Sequence, residues 1–229
     1  LVIITREDPT LPLARYRVRN QLTEIRAADL RFNRTEAVDF LNHQMGLDLA
    51  EDDVAAMENR TEGWIAGLQR AAISMQGRSD IHSFIDDFTG SHRYVFDYLA
   101  EEVLQRQPEQ VRRFLLGTSI LDQLNSALCD AVLNQTHSRE MLDFLERSNL
   151  FVIPLDDQRQ WYRYHHLFAE VLQTHAHAEG PGQWLALHQR ASVWYEANHQ
   201  SFAAIHHSLA AKDFERAADL IELARPTIQ

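Results

Sequence analysis

Apolar residues recur every three to four positions through most of this chain from Thr35 onward, the signature of helices that bury one face. Thr35 can cap a helix that carries Ala37, Phe40 and Leu41 and stops at Gly46. The pattern predicts further helices at about Glu51–Asn59, with Val54 and Met57 inward, and at about Glu62–Met75, with Trp64, Ile65, Leu68, Ala72 and Ile73. A short helix over Asp80–Phe88 and a long one from Ser91 to about Arg106 follow. Pro108 opens the next, with Val111, Phe114 and Leu115 inward, and two more are expected at Ser126–Leu133 and Ser138–Arg147.

Two regions break the helical period. Leu1–Ile4 is a continuous β-branched run that reads as a strand of a parallel sheet, and Leu22 with Ile25 offers a second short strand. Leu150–Leu155 and the aromatic run from Trp161, separated by Asp156-Asp157-Gln158-Arg159, read as an antiparallel hairpin. The chain then re-enters a helix at His165-His166 that runs to about His177. A strand-to-helix junction exposes unpaired N–H groups and a positive dipole end, which makes it a natural seat for phosphate. Beyond a linker at Glu179-Gly180-Pro181-Gly182, three helices at Trp184–Asn198, Phe202–Ala210 and Phe214–Leu223 are joined by very short turns, like the start of a tetratricopeptide-like array.

The expected fold is therefore mainly α: a remnant of an α/β domain over residues 1–34, a helical subdomain over 35–90, a winged helix with a β-hairpin over 91–178, and the first helices of a TPR-like array over 183–229. Winged helices usually suggest DNA binding, and charge argues against it here. The helix that would enter the groove carries Arg139 and Arg147 against Glu140, Asp143 and Glu146. Groove readers need cations on phosphates and donors on base edges. A formal net charge of −11 over 229 residues also disfavours non-specific nucleic-acid and anionic-membrane binding. No direct nucleic-acid contact and no membrane contact is expected.

Composition narrows the chemistry further. With 45% apolar residues the chain can build real cores. The single cysteine, Cys129, lies on an apolar helix face, where burial is the default; it excludes an internal disulfide framework and fits a reducing, cytoplasmic setting. Of 22 basic residues only Lys212 is lysine, so no P-loop lysine stands in the first two hundred residues. The segment therefore cannot cradle phosphates by itself and is not expected to be an enzyme. Twelve histidines suggest metal, but none has the i, i+4 spacing with a completing carboxylate or cysteine, and adjacent histidines diverge by about 100° on a helix. No metal site is expected.

The strings FLL, SIL and LCDAVL, followed by MLDFLERSNLFVIPLDDQRQWYRYHHLF, resemble the winged-helix segment of the large ATP-binding transcriptional regulators of the LuxR family. Those regulators are signal-transduction NTPases with numerous domains (STAND), a branch of the P-loop NTPases. The likeness extends upstream through LPLARYRVRNQLTEIRAADLRF, TEGWIAGLQRAA and FIDDFTGSHRYVFDYLAEEVL, and so over nearly the whole chain. The chain opens at Leu1 inside an apolar run, so it is expected to be an internal piece of a longer regulator.

The resemblance implies a site. Arg6, at the end of the first expected strand, matches an arginine that senses the nucleotide γ-phosphate; a guanidinium forks onto phosphate oxygens at any relevant pH. On residues alone Arg6 reads as an exposed arginine at a strand end, and the sensor role is what the resemblance implies. Arg60-Thr61-Glu62-Gly63-Trp64 matches the turn that touches adenine, without the Gly-x-Pro often found there; Gly63 lets backbone approach a ligand, while Trp64 has a competing role as a core aromatic. Tyr164-His165-His166 matches a Met-His-Asp string whose histidine contacts the β-phosphate, with tyrosine for methionine and histidine for aspartate. His165 has the competing role of capping or packing at a helix start. The implied cofactor is ATP or ADP, with Mg in the longer protein and weak or absent binding in this segment. Implied partners are an inducer or regulatory protein on downstream repeats, and further copies in the active state. The alternatives from other classes are a standalone helical scaffold for protein binding and, with least support, a hydrolase.

Overall fold

The computed structural model describes residues 1–5, 9–78, 80–88 and 97–224. In chain order the helices are α1 (Leu13–Val18), α2 (Arg34–Val38, continued by a π-helical stretch Asp39–Gln44), α3 (Glu51–Thr61), α4 (Ile65–Met75), α5 (Ile81–Asp87) and α6 (Tyr98–Leu104, wound as a π-helix). Then come α7 (Glu109–Thr118), α8 (Ser126–Leu133) and α9 (Ser138–Arg147), the hairpin β1 (Val152–Pro154) with β2 (Tyr162–Tyr164), and α10 (His166–Glu179). The remaining helices are α11 (Pro181–Ala197), α12 (Ser201–Ala210) and α13 (Phe214–Ala224). The protein is mainly helical, as its periodicity predicts, and its one described sheet is this two-stranded antiparallel hairpin. No described helix is long and apolar enough to cross a membrane.

The chain divides into two compact units. The first holds Leu1–Leu104 together with Leu145–Phe151 and His165–Val171. Its centre is α3, whose Val54 and Met57 are fully buried, packed with α2, α4 and α5. Asn33 and Glu36 form a reciprocal capping box at the start of α2, with the N-cap two residues earlier than the Thr35 cap expected from sequence. The expected strands at Leu1–Ile4 and Leu22–Ile25 do not form, and Leu1, Val2, Ile4 and Ile25 are exposed. The physical reason is that a parallel strand has no stability without neighbours that accept its backbone bonds. Arg6 and the expected Ser91 helix start lie outside the described residues.

The second unit comprises Gln105–Phe144, Val152–Tyr164 and Leu172–Gln229. In the hairpin, Val152 pairs with Tyr164 and Pro154 with Tyr162, and Leu124 exchanges backbone bonds with Tyr162 at 2.7 and 2.9 Å. Tyr162 and Cys129 are fully buried, and burial drives the thiol pKa upward, so Cys129 packs as a small hydrophobe. The buried Tyr164 hydroxyl meets the Thr118 hydroxyl at 2.7 Å while Thr118 donates to the Phe114 carbonyl. Tyr164 is therefore the donor's complement in reverse: with Thr118's proton committed, the phenol must give its own. Tyr164→Phe is expected to cost about 1 kcal/mol in a denaturant melt, the worth of one buried hydrogen bond; an unchanged midpoint would contradict it.

The expected linker at residues 179–182 is a one-residue break. Gly180 alone separates α10 from α11, and Pro181 occupies the first turn of α11, where its missing N–H is harmless. Helices α11, α12 and α13 pack in sequence, and α11 also packs on α8. A buried polar seam joins them: Ser192 Oγ donates to the Ala204 carbonyl at 2.9 Å and lies 2.7 Å from Ser208 Oγ, and Arg216 reaches both Ser192 and Glu196.

Candidate functional site

The site forms where α3 ends. Periodicity predicts a helix starting at Glu62, but α3 terminates there instead, because Glu62 (φ 49°) and Gly63 (φ 68°) both turn left-handed. The amides of Glu62 and Gly63 cap the carbonyls of Asn59 and Glu58, and Trp64 starts α4 as its N-cap. Gly63 is required by space as well as by φ. The Phe32 amide donates to the Gly63 carbonyl at 2.8 Å, and a β-carbon on residue 63 would sit 2.3 Å from the Phe32 carbonyl oxygen.

Around this turn three of the four sequence candidates, Gly63, Trp64 and His165, come together within the first unit. The Trp64 ring meets Phe151 edge-on at 5.1 Å, Tyr98 at 5.7 Å and His165 at 6.1 Å, and Gly67 one turn on leaves the room its ring occupies. Phe151 also contacts His165 and Phe168, and its carbonyl accepts the His165 amide at 2.8 Å. Phe151 holds φ 57°, unusual for an aromatic residue, so tertiary packing dictates its backbone.

His165 is 97% buried, with 3% of its surface exposed. Its Nε2 lies 2.8 Å from the Thr61 carbonyl, which only accepts, so Nε2 carries a proton. Its buried Nδ1 has no hydrogen-bond partner. Burial pushes the imidazole pKa down to about 4, against the opposing pull of the Glu62 carboxylate and the Thr61 carbonyl. At neutral pH His165 is therefore neutral, with a bare lone pair on Nδ1. A phosphate oxygen needs a donor, so direct contact requires a proton on Nδ1 or release of Nε2 from Thr61. The negative charge of a polyphosphate favours the first.

The neighbouring His166 is bound by Glu62, whose Oε1 accepts from the ring Nδ1 at 2.7 Å and from the backbone amide at 3.2 Å. The Arg31 guanidinium stands 3.5 Å from the other Glu62 oxygen. Sequence places Thr61 and Glu62 in the turn but not against His165 and His166, 104 positions away, and gives no local signal for Phe151 or Arg31 in this cluster. Among the described residues no group of three or more histidine, cysteine or acidic side chains could hold a metal ion.

Residues 100–184 match the MalT winged helix domain. That span takes in α7 to α10 and the hairpin, so His165 and His166 belong to the winged helix and open its last helix. Over 222 residues, 97% of the chain, it is 35% identical to the serine/threonine-protein kinase PknK of Mycobacterium tuberculosis (strain ATCC 25618 / H37Rv), covering 20% of that protein. It is 33% identical over 223 residues to the HTH-type transcriptional regulator MalT of Yersinia pestis (strain Pestoides F), covering 96% of the chain and 25% of that regulator. The chain thus spans a fifth to a quarter of the length of the curated relatives it matches.

Proposed function

We propose that this segment is the nucleotide-reading and relay part of an ATP-dependent, LuxR-type transcriptional regulator of the STAND class. In this reading a P-loop elsewhere in the longer protein holds ADP or ATP with Mg. The α3–α4 turn at Gly63 and Trp64 lies at the base, and His165 with Arg6 addresses the phosphates. The observation that carries the reading is the His165–Thr61 bond, which joins the turn of the helical region to the first residue before α10. The two relatives add support. One is named as a kinase and the other as a transcriptional regulator, and a segment common to both fits a sensing module better than either output.

The segment itself carries no catalytic step. Bound ADP stabilises a resting form; ATP with an inducer or regulatory protein on downstream helical repeats favours an open, self-associating form. Each ligand needs only to prefer one form by a few kcal/mol. DNA contact falls to a separate module, and the protein works in the cytoplasm. In the full-length protein His165→Ala is expected to weaken ADP binding about tenfold, the worth of one hydrogen bond to a charged group, and to raise basal reporter transcription. Unchanged ADP affinity and unchanged basal output would reject the reading and favour a standalone protein-binding scaffold.

A further inference from the structure

A cavity of about 160 Å³ is walled entirely by residues of the second unit and shares none with the turn at Gly63. One wall is a single stripe of α7, in which Glu109, Arg112, Arg113 and Leu116 recur at the spacing that puts side chains on one helix face. The other is the end of α10 with the first turns of α11, where Glu179, Trp184 and Leu187 contribute. Leu116 and Leu187 are buried and Trp184 is half-buried, so the floor is apolar. The charged members are the more exposed ones and stand at the mouth.

Volume decides the size of the guest. A dry protein cavity of about 150 Å³ holds a benzene ring, whereas sites for drug-sized ligands span roughly 300–1,000 Å³. The space therefore suits a hydrocarbon body of about four to six carbons, and it is too small for a nucleotide or a length of peptide.

Charge decides the class. Glu109 meets both guanidiniums, Arg112 at 3.0 Å and Arg113 at 3.6 Å, and Arg112 also reaches Glu179 at 3.3 Å. Two groups at the mouth keep capacity in reserve. Arg113 has 71% of its side chain exposed and its one ion-pair contact among the described residues is the long one. Glu179 is 48% exposed and meets only Arg112 among the described residues, through one oxygen. The lining is thus balanced in formal charge, with an underused cation and an underused anion. A ligand of one sign is attracted by one and opposed by the other, while a ligand carrying both signs is attracted twice and adds no net charge.

We infer that this cavity binds a free α-amino acid with an apolar side chain. The side chain lies on Leu116, Trp184 and Leu187, the carboxylate meets the Arg113 fork, and the ammonium meets Glu179. Occupancy would tie α7 to α10 and α11 across the one-residue break at Gly180. The nucleotide residues take no part, so failure here would leave the nucleotide reading as it stands.

The test is calorimetric titration of L-leucine and L-phenylalanine into the full-length protein. Two leucine analogues each lack one charge: isocaproate has no ammonium and isoamylamine no carboxylate. At least one of the amino acids should bind saturably, and both analogues should bind at least about tenfold more weakly than leucine, the worth of one charge-assisted hydrogen bond. Arg113→Gln and Glu179→Gln should each weaken amino-acid binding about tenfold. Both positions are exposed, so the unliganded variants should melt with the wild type, which separates lost binding from lost folding. No saturable binding of either amino acid, binding that both variants leave unchanged, or an analogue that binds as tightly as leucine would overturn the site.

Discussion

Gly63→Ala is expected to destabilise the first unit by at least about 3 kcal/mol and, on the proposed reading, to abolish nucleotide binding in the full-length protein. Two costs combine. The alanine must hold φ 68°, which costs about 1 kcal/mol or more, and its β-carbon would lie 2.3 Å from the Phe32 carbonyl oxygen, a backbone atom that no rotamer change can move. The turn must therefore open, breaking the Phe32–Gly63 bond of 2.8 Å and displacing the Thr61 carbonyl that holds His165. Gly46→Ala separates the two costs. Gly46 has nearly the same φ, 69°, but nothing lies within 4 Å of a β-carbon there, so only the conformational part, about 1 kcal/mol, should appear. Denaturant melts of the two variants check this; equal losses would show that the Phe32 contact is immaterial.

Local pattern made most of the helical framework legible. Helices α8 and α9 begin and end where capping and periodicity place them, at Ser126–Leu133 and Ser138–Arg147, and the hairpin forms around the polar turn at residues 156–159. Each of these elements is specified by its own residues. The misreadings have a common cause, in that the deciding partner lies elsewhere. Leu1–Ile4 has strand-like composition, but a strand is a relation between segments, and composition says nothing about the neighbour. The helix expected from Glu62 begins at Ile65 instead, because the boundary is set by the left-handed Glu62 and Gly63 and by Phe32, thirty-one positions upstream of the glycine.

The site divides along the same line. Its residue types were legible, because Gly63, Trp64 and His165 stand in recognisable strings. Their partners were not. The Glu62 carboxylate supplies His166 with the acidic contact that the Tyr164-His165-His166 string lacks, and it does so from 104 residues away. The Thr61 carbonyl fixes the tautomer of His165, so the imidazole meets neutral solution with no spare donor. On the proposed reading the histidine answers a phosphate either by taking up a proton at Nδ1 or by releasing Nε2 from Thr61.

Acid is expected to loosen the α11–α12 pair well before ordinary acid unfolding. His188 and His207 are 5% and 4% exposed and bring their Nδ1 atoms to 2.8 Å, so one donates and the other accepts across a single shared proton. Their surroundings are aromatic or cationic in tendency: Trp184 stands edge-on to His188, Tyr195 stacks on His207 at 5.3 Å, and His206 lies beside His207. Burial, reinforced at His188 by His206 and at His207 by His188 and then His206, pushes both imidazoles well below their ordinary value of 6.5. The sign follows from linkage. Near and below pH 6.5 the unfolded chain binds protons that the native pair refuses, so the stabilisation is complete above that pH and falls as pH drops toward about 4. Each refusing imidazole contributes a slope of up to about 1.4 kcal/mol per pH unit. Protection factors of the α11 and α12 amides, that is exchange corrected for the intrinsic amide rate at each pH, should therefore fall steeply between pH 6 and 4.5, within the window set by these shifts. Replacing His207 with leucine removes one titrating group and the shared proton, and should roughly halve that slope; protection factors that stay constant across the window in the wild-type chain would show that the pair is not held neutral.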